Sequence, residues 1–335
     1  MATKCLRWGI CGAGKISNDF CSAMSTLPKG EHEVVAVAAR KLESAKEFGD
    51  KFGAKVTYDS YEALSKDPNV DIVYIGTIHI NHVEMSMLML NAGKHVLCEK
   101  PMSLNMKQAK LVLQLAKEKK LYFMEATWSR CFPIYQKIKA EIASGNLGDV
   151  ELLTAKFAIP IKDVPRLKEK ALGGGCLLDI GIYTIQLACM VFDEMPEKIT
   201  ADGVLNEEGV DQGGCIILKY KGGRMASLAY SGRTCVVQNS ASIHGTKANI
   251  ELPDRFWCPE KAVFPSGVVT NEVPEGRQPY NFDNSGGMRY EADHTRRAIL
   301  EGKLECEAMP HRHSEMVMSI SDEVRKQLGV VYDVD

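Results

Sequence analysis

The sequence predicts an α/β protein in two parts: an N-terminal, doubly wound parallel sheet, and a C-terminal α+β domain on a large, mostly antiparallel, open-faced sheet. Three observations support this fold class. Short apolar strands alternate with helical segments up to about residue 125, the pattern of βαβ units. Glycines separate the first strand from the first helix. After residue 150, segments of period two with glycine-rich turns indicate antiparallel pairing.

In the first half, apolar runs are separated by turn-forming residues such as Asp67-Pro68-Asn69 and Gly93. Strands are predicted at 6–11, 34–38, 56–58, 70–76, 95–98 and 121–125, and helices at 16–25, 44–52, 61–64, 83–91 and 105–119. Residues 1–125 are therefore predicted to form the first domain.

The second domain is predicted to span residues 126–335. Strands are expected at 151–158, 199–207, 213–219, 224–231 and 238–244, and helices at 134–144, 178–191, 290–301 and 316–327. These helices can cover only one sheet face, and an uncovered apolar face usually meets a partner. We therefore expect a homodimer through this sheet, with Leu218 and Leu228 as candidates for the centre of the interface.

Composition narrows the class of protein. The chain has 335 residues and a net charge of −2, which gives no reason to expect nucleic acid or a membrane surface as a partner. No apolar run approaches the ~18 residues of a membrane helix. Eleven cysteines without a C-x-x-C pair, and no signal peptide before the first strand, predict a reduced cytoplasm.

The turn after the first strand carries the first functional motif. Gly12 allows a tight turn, Gly14 lets the backbone approach a pyrophosphate, and Ser17 permits close helix–strand packing. The N–H groups at the start of the helix then favour phosphates. A plain glycine turn is the alternative, but the strand–turn–helix–strand context predicts a dinucleotide-binding Rossmann domain.

The end of the second strand predicts the choice of cofactor. An acidic residue at this place would accept a hydrogen bond from the ribose 2′-hydroxyl of NAD, whereas arginine suits a 2′-phosphate. The chain has Arg40-Lys41 there and no acid until Glu43. Because a guanidinium can bind a phosphate through two hydrogen bonds, we predict NADP. A solvated arginine is the alternative.

A second motif, Glu99-Lys100-Pro101, ends the apolar run at residues 95–98. Lys100 is therefore predicted to lie at the carboxyl edge of the sheet, where open α/β sheets bind ligands. An ammonium group there can donate to a reacting oxygen. The alternative is an ordinary surface lysine.

Together with Gly12–Ile16 and Gly173–Gly181, this tripeptide resembles the glucose–fructose oxidoreductase, inositol dehydrogenase and MocA family. The resemblance covers essentially the whole chain. The stretches 124–130, 177–183 and 281–284 resemble a dimeric branch of that family. This resemblance implies that the protein oxidises trans-dihydrodiols of aromatic hydrocarbons to catechols, and D-xylose to its lactone, with NADP. Periodicity alone would not indicate a substrate.

Many members of this family have a histidine where this chain has Tyr183. We expect Tyr183 to be the general base, with its pKa lowered by the Lys100 ammonium from an ordinary value near 10. Lys100 would also donate to the substrate oxygen. Asp179 lies four residues earlier and so on the same helical face. It would orient the substrate or Lys100, with a structural ion pair as the alternative.

Further candidates are weaker. At positions 79 and 82, the alternative to a cofactor contact is a histidine that is hydrogen-bonded within the protein for structural reasons. For the aromatic residues, the alternative to a place in the substrate pocket is packing in the core. His311-Arg312-His313 lacks the carboxylates or cysteines of a metal site, so none is predicted. The additional predicted cofactor contacts are Lys15, Ile16, Tyr74, Thr77, His79, His82 and Glu99, and the predicted pocket residues are Trp128, Phe157, Trp257 and Phe282.

The predicted protein is an NADP-dependent dehydrogenase of a vicinal diol or of the anomeric hydroxyl of a pentose. Two alternatives stay open. One is an NADPH-dependent reductase of a sugar ketone or dicarbonyl. The other is a non-catalytic NADP-sensing regulator, against which the joint presence of Lys100, Asp179 and Tyr183 argues.

Overall fold

A computed structural model describes residues 5–234 and 238–335. The chain divides into two compact units. The first contains Met1–Ser103, Lys110–Cys131 and Val273–His311, and the second contains Leu104–Ala109, Phe132–Glu272 and Arg312–Asp335.

Alternating strands and helices build the first half of the chain, as predicted. The elements are β1 (Leu6–Cys11), α1 (Lys15–Met24), β2 (His32–Ala38), α2 (Leu42–Phe52), β3 (Val56–Tyr58), α3 (Tyr61–Ser65), β4 (Ile72–Ile75), α4 (His82–Asn91), β5 (His95–Glu99), α5 (Met106–Lys119) and β6 (Phe123–Ala126). The six strands are parallel, in the order β3-β2-β1-β4-β5-β6. The order reverses between β1 and β4, so the carboxyl ends of these two strands form the topological switch point.

The elements of the second half are α6 (Pro133–Ala143), β7 (Val150–Ala158), α7 (Pro165–Lys168), α8 (Ile182–Phe192), β8 (Lys198–Leu205), β9 (Asp211–Lys219), β10 (Met225–Ser231), β11 (Ala241–Gly245), β12 (Asn249–Leu252), β13 (Lys261–Phe264), β14 (Gly267–Thr270), α9 (Met288–Leu300) and α10 (His311–Leu328). An eight-stranded sheet has the order β14-β13-β12-β11-β7-β10-β9-β8. It is antiparallel except for the pair β7–β10. The open-faced, mostly antiparallel sheet is thus confirmed.

The predicted domain boundary differs from the compact units. Residues 273–311, assigned to the second domain from sequence, group with the first unit. The reason is visible at α1, where the buried carboxylate of Asp19 accepts the backbone N–H groups of Asn281 and Phe282 at 2.9–3.0 Å. Ser22 accepts the Gln278 N–H at 2.7 Å and donates to its carbonyl.

The two sheet faces of the second unit differ in composition. Helix α8 packs against β7 and β10, and both Leu218 and Leu228 are buried, at 0% and 1% exposure. The opposite face carries a row of residues that follows the strand register and is chiefly small and polar: Thr200, Ile217, Ser227, Thr154, Ser242, Glu251 and Val263. Leu218 and Leu228 were therefore wrong candidates for an interface centre, and the open face is less apolar than predicted.

By length and composition alone, the stretch at residues 170–192 is long and apolar enough to cross a membrane. This stretch belongs to the second unit, and its apolar part is entirely buried. This stretch includes α8, and its side chains form part of the core of that unit.

Candidate active site

The glycine turn of the first unit has the geometry of a phosphate cradle. Gly12 has φ +101°, and a Cβ there would lie 3.1 Å from the Gly76 carbonyl oxygen. Gly14 is the N-cap of α1 and provides no side-chain cap, which leaves the first N–H groups of the helix for an anion. A Cβ on Gly76 would collide with the buried hydroxyl of Ser17. Sequence reasoning missed Gly76, because its requirement arises from α1 rather than from its own strand.

Thr77 gives a separate indication of a ligand at this switch point. Its hydroxyl oxygen is buried and has no hydrogen-bond partner among the described residues. The side chain lies beside Gly12, where its Cγ2 is 3.2 Å from the position of a Cβ. A buried hydroxyl normally has a partner, so the loop and Thr77 together fit a bound dinucleotide. Lys15 and Ile16 begin α1 directly after the turn.

Arg40 follows β2 and is exposed, and Lys41 is the N-cap of α2. The nearest acid in the chain, Glu43, lies within the first turn of α2. The strand end that faces the adenosine ribose in Rossmann domains therefore carries a cation in this structure.

Lys100 directly follows β5, at the carboxyl edge of the parallel sheet, and is partly exposed. Three side chains hold the backbone around it. Glu99 accepts the Lys100 N–H at 3.2 Å, Glu125 accepts the Met102 N–H at 3.0 Å, and His82 Nδ1 lies 2.7 Å from the Pro101 carbonyl oxygen. These contacts fix the backbone from which the lysine side chain extends.

Tyr74 and His82, predicted as cofactor contacts, both have partners within the protein. Tyr74 is fully buried, donates to Glu99 at 2.6 Å and stacks on Phe20 with ring centroids 3.9 Å apart. His82 joins the Pro101 carbonyl to that of Thr77, whose oxygen lies 3.0 Å from Nε2. Burial lowers the pKa of His82, against the opposing effect of these two carbonyl contacts, and the ring connects the Thr77 loop to the Lys100 turn.

The carboxyl group of Glu99 lies beneath the lysine turn. Burial raises its pKa to about 7, against the opposing effects of the Tyr74 hydrogen bond and the Lys100 charge. Its contacts to Tyr74 and to the Lys100 backbone show that it supports this turn. His79 begins a short 3-10 turn, is buried, and has its ring 6.0 Å from that of His82.

In the second unit, Asp179 and Tyr183 lie on consecutive helical turns. Residues Leu177–Gly181 form a π-helical segment directly before α8, a distortion that is frequent at functional sites. Asp179 is buried and accepts from Arg166 of α7, with Nη1–Oδ1 at 2.9 Å. Sequence reasoning missed Arg166, since nothing in its own segment indicates the partner. The structural ion pair given above as the alternative for Asp179 is therefore present.

The glycine run before this segment allows close packing. A Cβ on Gly174 would lie 2.6 Å from the Leu167 carbonyl oxygen, and one on Gly175 would lie 2.5 Å from Asp211 Oδ1. Asp211 accepts the Leu177 N–H at 2.7 Å, and burial raises its pKa to about 6. This carboxyl group anchors the start of the π-helical segment, and sequence reasoning missed it as well.

The Tyr183 ring lies beside a stacked aromatic pair within the second unit. Phe157 stacks on Trp257 with ring centroids 3.9 Å apart, and the Tyr183 ring lies 5.7 Å from that of Phe157. Tyr183 and Trp257 are buried to 6% and 8% exposure. The phenol thus lies in an apolar, aromatic environment.

The other two predicted pocket residues belong to the first unit. Trp128 is buried in the 3-10 turn Trp128–Cys131, which follows β6. Phe282 is 48% exposed and lies beside α1, held by the hydrogen bond of its backbone to Asp19. Lys100 also belongs to the first unit and Tyr183 to the second, so their pairing stays a prediction.

These features define the class of protein as a Rossmann-fold oxidoreductase. An oxidoreductase family model with an NAD-binding Rossmann fold matches residues 6–127, and the C-terminal domain model of the glucose–fructose oxidoreductase, inositol dehydrogenase and MocA family matches residues 135–251. The chain belongs to that family. It is a dehydrogenase acting on CH–OH groups, in agreement with the names of its relatives.

Two curated relatives span nearly the whole chain. A trans-1,2-dihydrobenzene-1,2-diol dehydrogenase of Xenopus tropicalis is 46% identical over 333 residues, covering 99% of this chain and 100% of the relative. The Homo sapiens enzyme of the same name is 42% identical over 331 residues, covering 98% and 99%. The resemblance predicted from sequence motifs is confirmed.

Solved structures show the same architecture. A 3-ketoreductase of Actinomadura kijaniata, in complex with NADP and TDP-benzene, has a TM-score of 0.78 and 25% identity, covering 96% of this chain and 98% of that chain. A levoglucosan dehydrogenase in complex with NADH and levoglucosan has a TM-score of 0.83 at 20% identity, with 97% of each chain covered. The second likeness shows the fold alone.

Proposed function

We propose that this enzyme oxidises trans-dihydrodiols of aromatic hydrocarbons to catechols with NADP, and D-xylose at its anomeric hydroxyl to the lactone. The observation that carries the proposal is the buried Tyr183 phenol beside the stacked Phe157–Trp257 pair. It combines a proton acceptor with an apolar surface for a planar ring. The names of the relatives support the same substrate class.

The residues divide the chemistry between them. The nicotinamide, when bound, accepts a hydride from the carbinol carbon. Lys100 donates a hydrogen bond to the substrate oxygen and stabilises its developing negative charge. Tyr183 accepts the hydroxyl proton. Asp179 and Arg166, joined by their ion pair, hold the helical turn from which Tyr183 projects.

A panel of substrates tests the proposed function. NADP reduction is followed by absorbance with a trans-dihydrodiol and with D-xylose, and NADPH oxidation with a sugar ketone and a dicarbonyl. We expect the highest kcat/KM for the dihydrodiol. Clear preference for a ketone would favour the reductase alternative, to which the 3-ketoreductase likeness gives support. Inactivity with every alcohol would contradict the proposal.

We further propose that Arg40 makes NADP the preferred cofactor by pairing with its 2′-phosphate. A charge-assisted hydrogen bond contributes roughly 1.5–3 kcal/mol. Arg40→Asp is therefore expected to lower kcat/KM for NADP at least ten-fold and to favour NAD relatively. Lys51→Asp, the same charge change in the last turn of α2, is the matched control. Equal use of NAD and NADP by the unmodified protein would contradict the assignment.

A homodimer through the open face of the eight-stranded sheet is also proposed. Small side chains such as Thr154 and Ser227 lie side by side on that face, where they let a second sheet approach closely. Thr154→Asp is expected to dissociate the dimer, because it places a negative charge at the centre of each face. Light scattering measures the mass, with Lys139→Asp on α6 as the control. A mass of 37.0 kDa for the unmodified protein at micromolar concentration would exclude the dimer.

The cytoplasm is the proposed location. Ten cysteines in the described part of the chain are free thiols, which supports a reducing compartment. Fractionation of cells that express the protein tests this placement, and enrichment in a secretory or organellar fraction would contradict it.

A further inference from the structure

Three side chains of the first unit bring two thiols and an imidazole together, and none of them belongs to the glycine turn or to the lysine turn. Cys131 ends the 3-10 turn that follows β6, His294 lies on α9, and Cys306 lies on the segment after α9. Their ligand atoms all lie within 4.8 Å of one another, with Cys306 Sγ 4.0 Å from His294 Nδ1. Both cysteines are 1% exposed, and the histidine is half-buried.

This set of atoms matches the preferences of a soft divalent cation. Thiolate sulfur and imidazole nitrogen are the usual ligands of Zn²⁺, at about 2.3 Å and 2.0–2.1 Å from the metal. Ligands at those distances in a tetrahedron are separated by less than about 4 Å. The three atoms thus need only small side-chain rotations to close around an ion. A disulfide between the two cysteines would leave the imidazole, which faces Cys306, without a role.

A buried carboxyl group gives an independent indication of a cation. Glu291 lies one turn before His294 on α9, so the two side chains share a helix face. Glu291 is fully buried, and neither of its oxygens has a hydrogen-bond partner among the described residues. Burial raises the pKa of Glu291, and the negative charges of Glu99 and then of Cys306 raise it further. Burying a carboxyl group without a hydrogen-bond partner costs free energy, and a nearby cation would offset that cost.

We propose that Cys131, His294 and Cys306 form a Zn²⁺ site, with Glu291 as the neighbouring carboxylate. Zn²⁺ there would join the turn that carries Trp128 to α9 and to the segment after it, all within the first unit. The three protein ligands leave the fourth tetrahedral position for a water molecule, and the site is independent of the substrate assignment above. Cys131 and His294 are more than 160 positions apart in the sequence, so no local motif indicates this set of ligands.

The test is a titration of the full-length protein with Co²⁺, a spectroscopic substitute for Zn²⁺. We expect one equivalent to bind with a thiolate-to-cobalt charge-transfer absorption, and Zn²⁺ to abolish that absorption. Cys131→Ser and Cys306→Ser should lose it, and His294→Gln should weaken Zn²⁺ binding at least about 100-fold, beyond the 10–100-fold typical of outer-shell partners. Competition with a chromophoric chelator measures the affinity.

Two controls keep the result interpretable. Cys21→Ser, at a buried thiol elsewhere in the first unit, and Cys215→Ser, at an exposed thiol, should bind Co²⁺ as the unmodified protein does. Zn²⁺ should raise the Tm of the unmodified protein but not that of His294→Gln, which replaces a half-buried side chain. Absence of the charge-transfer band, or its persistence in Cys306→Ser, would overturn the proposal.

Discussion

Replacing Lys100 with methionine is expected to lower kcat at least about 100-fold, the range typical of a positioned acid–base group. Methionine has a similar length but lacks the charge, so in the proposed mechanism the substrate oxygen loses its donor and the phenol of Tyr183 loses the cation that lowers its pKa. The backbone around position 100 should persist, because Glu99, Glu125 and His82 hold it through main-chain atoms.

Steady-state kinetics with the preferred alcohol, together with NADP binding by fluorescence, checks this prediction. Cofactor affinity should weaken only modestly, which separates loss of chemistry from loss of binding. Lys139→Met, at an exposed lysine on α6, is the control for removal of one positive charge. An active Lys100→Met enzyme with an unchanged pH profile would remove Lys100 from the mechanism.

The lysine turn shows what local sequence can predict. The apolar run of β5, the charged pair after it and Pro101 all lie within seven residues, and together they place Lys100 at the sheet edge. The same holds for Gly12 and Gly14, since strand, turn and helix are contiguous. Such sites can be predicted from sequence because all the residues that form them belong to one short segment.

Long-range partners account for most of what was missed. Asp211 accepts a backbone N–H from a segment 34 residues away, and Asp19 accepts backbone groups about 262 positions later. A backbone N–H has no side-chain signature, so neither partnership is visible in the sequence. The same reason explains why the predicted domain boundary does not follow the compact units at residues 273–311.

Three short strands at one end of the larger sheet were also not predicted from sequence. Strands β12, β13 and β14 have four residues each and lie at one end of the eight-stranded sheet. So few residues give almost no periodicity to detect. The burial of Leu218 and Leu228 was ambiguous for a related reason. Period two indicates which residues share a face, but not which face the helices cover.

Replacing Tyr183 with phenylalanine is expected to lower kcat for alcohol oxidation by about 10²–10⁴-fold. The change removes the proton-accepting oxygen but keeps the ring beside Phe157. The rate of the unmodified enzyme should rise with pH as the phenol loses its proton, and the variant should lose that rise. Tyr220→Phe is the matched control, because that buried hydroxyl, in the same unit, has no hydrogen-bond partner among the described residues.

The double variant Lys100→Met, Tyr183→Phe tests whether the two residues act as a unit. If the ammonium works by favouring the phenolate, removing both groups should cost little more than the more severe single change, because effects within a catalytic unit are strongly non-additive. Rate losses that multiply would show that Lys100 and Tyr183 act independently. In that case Lys100 would serve the substrate oxygen alone, and the proton acceptor would gain nothing from its charge.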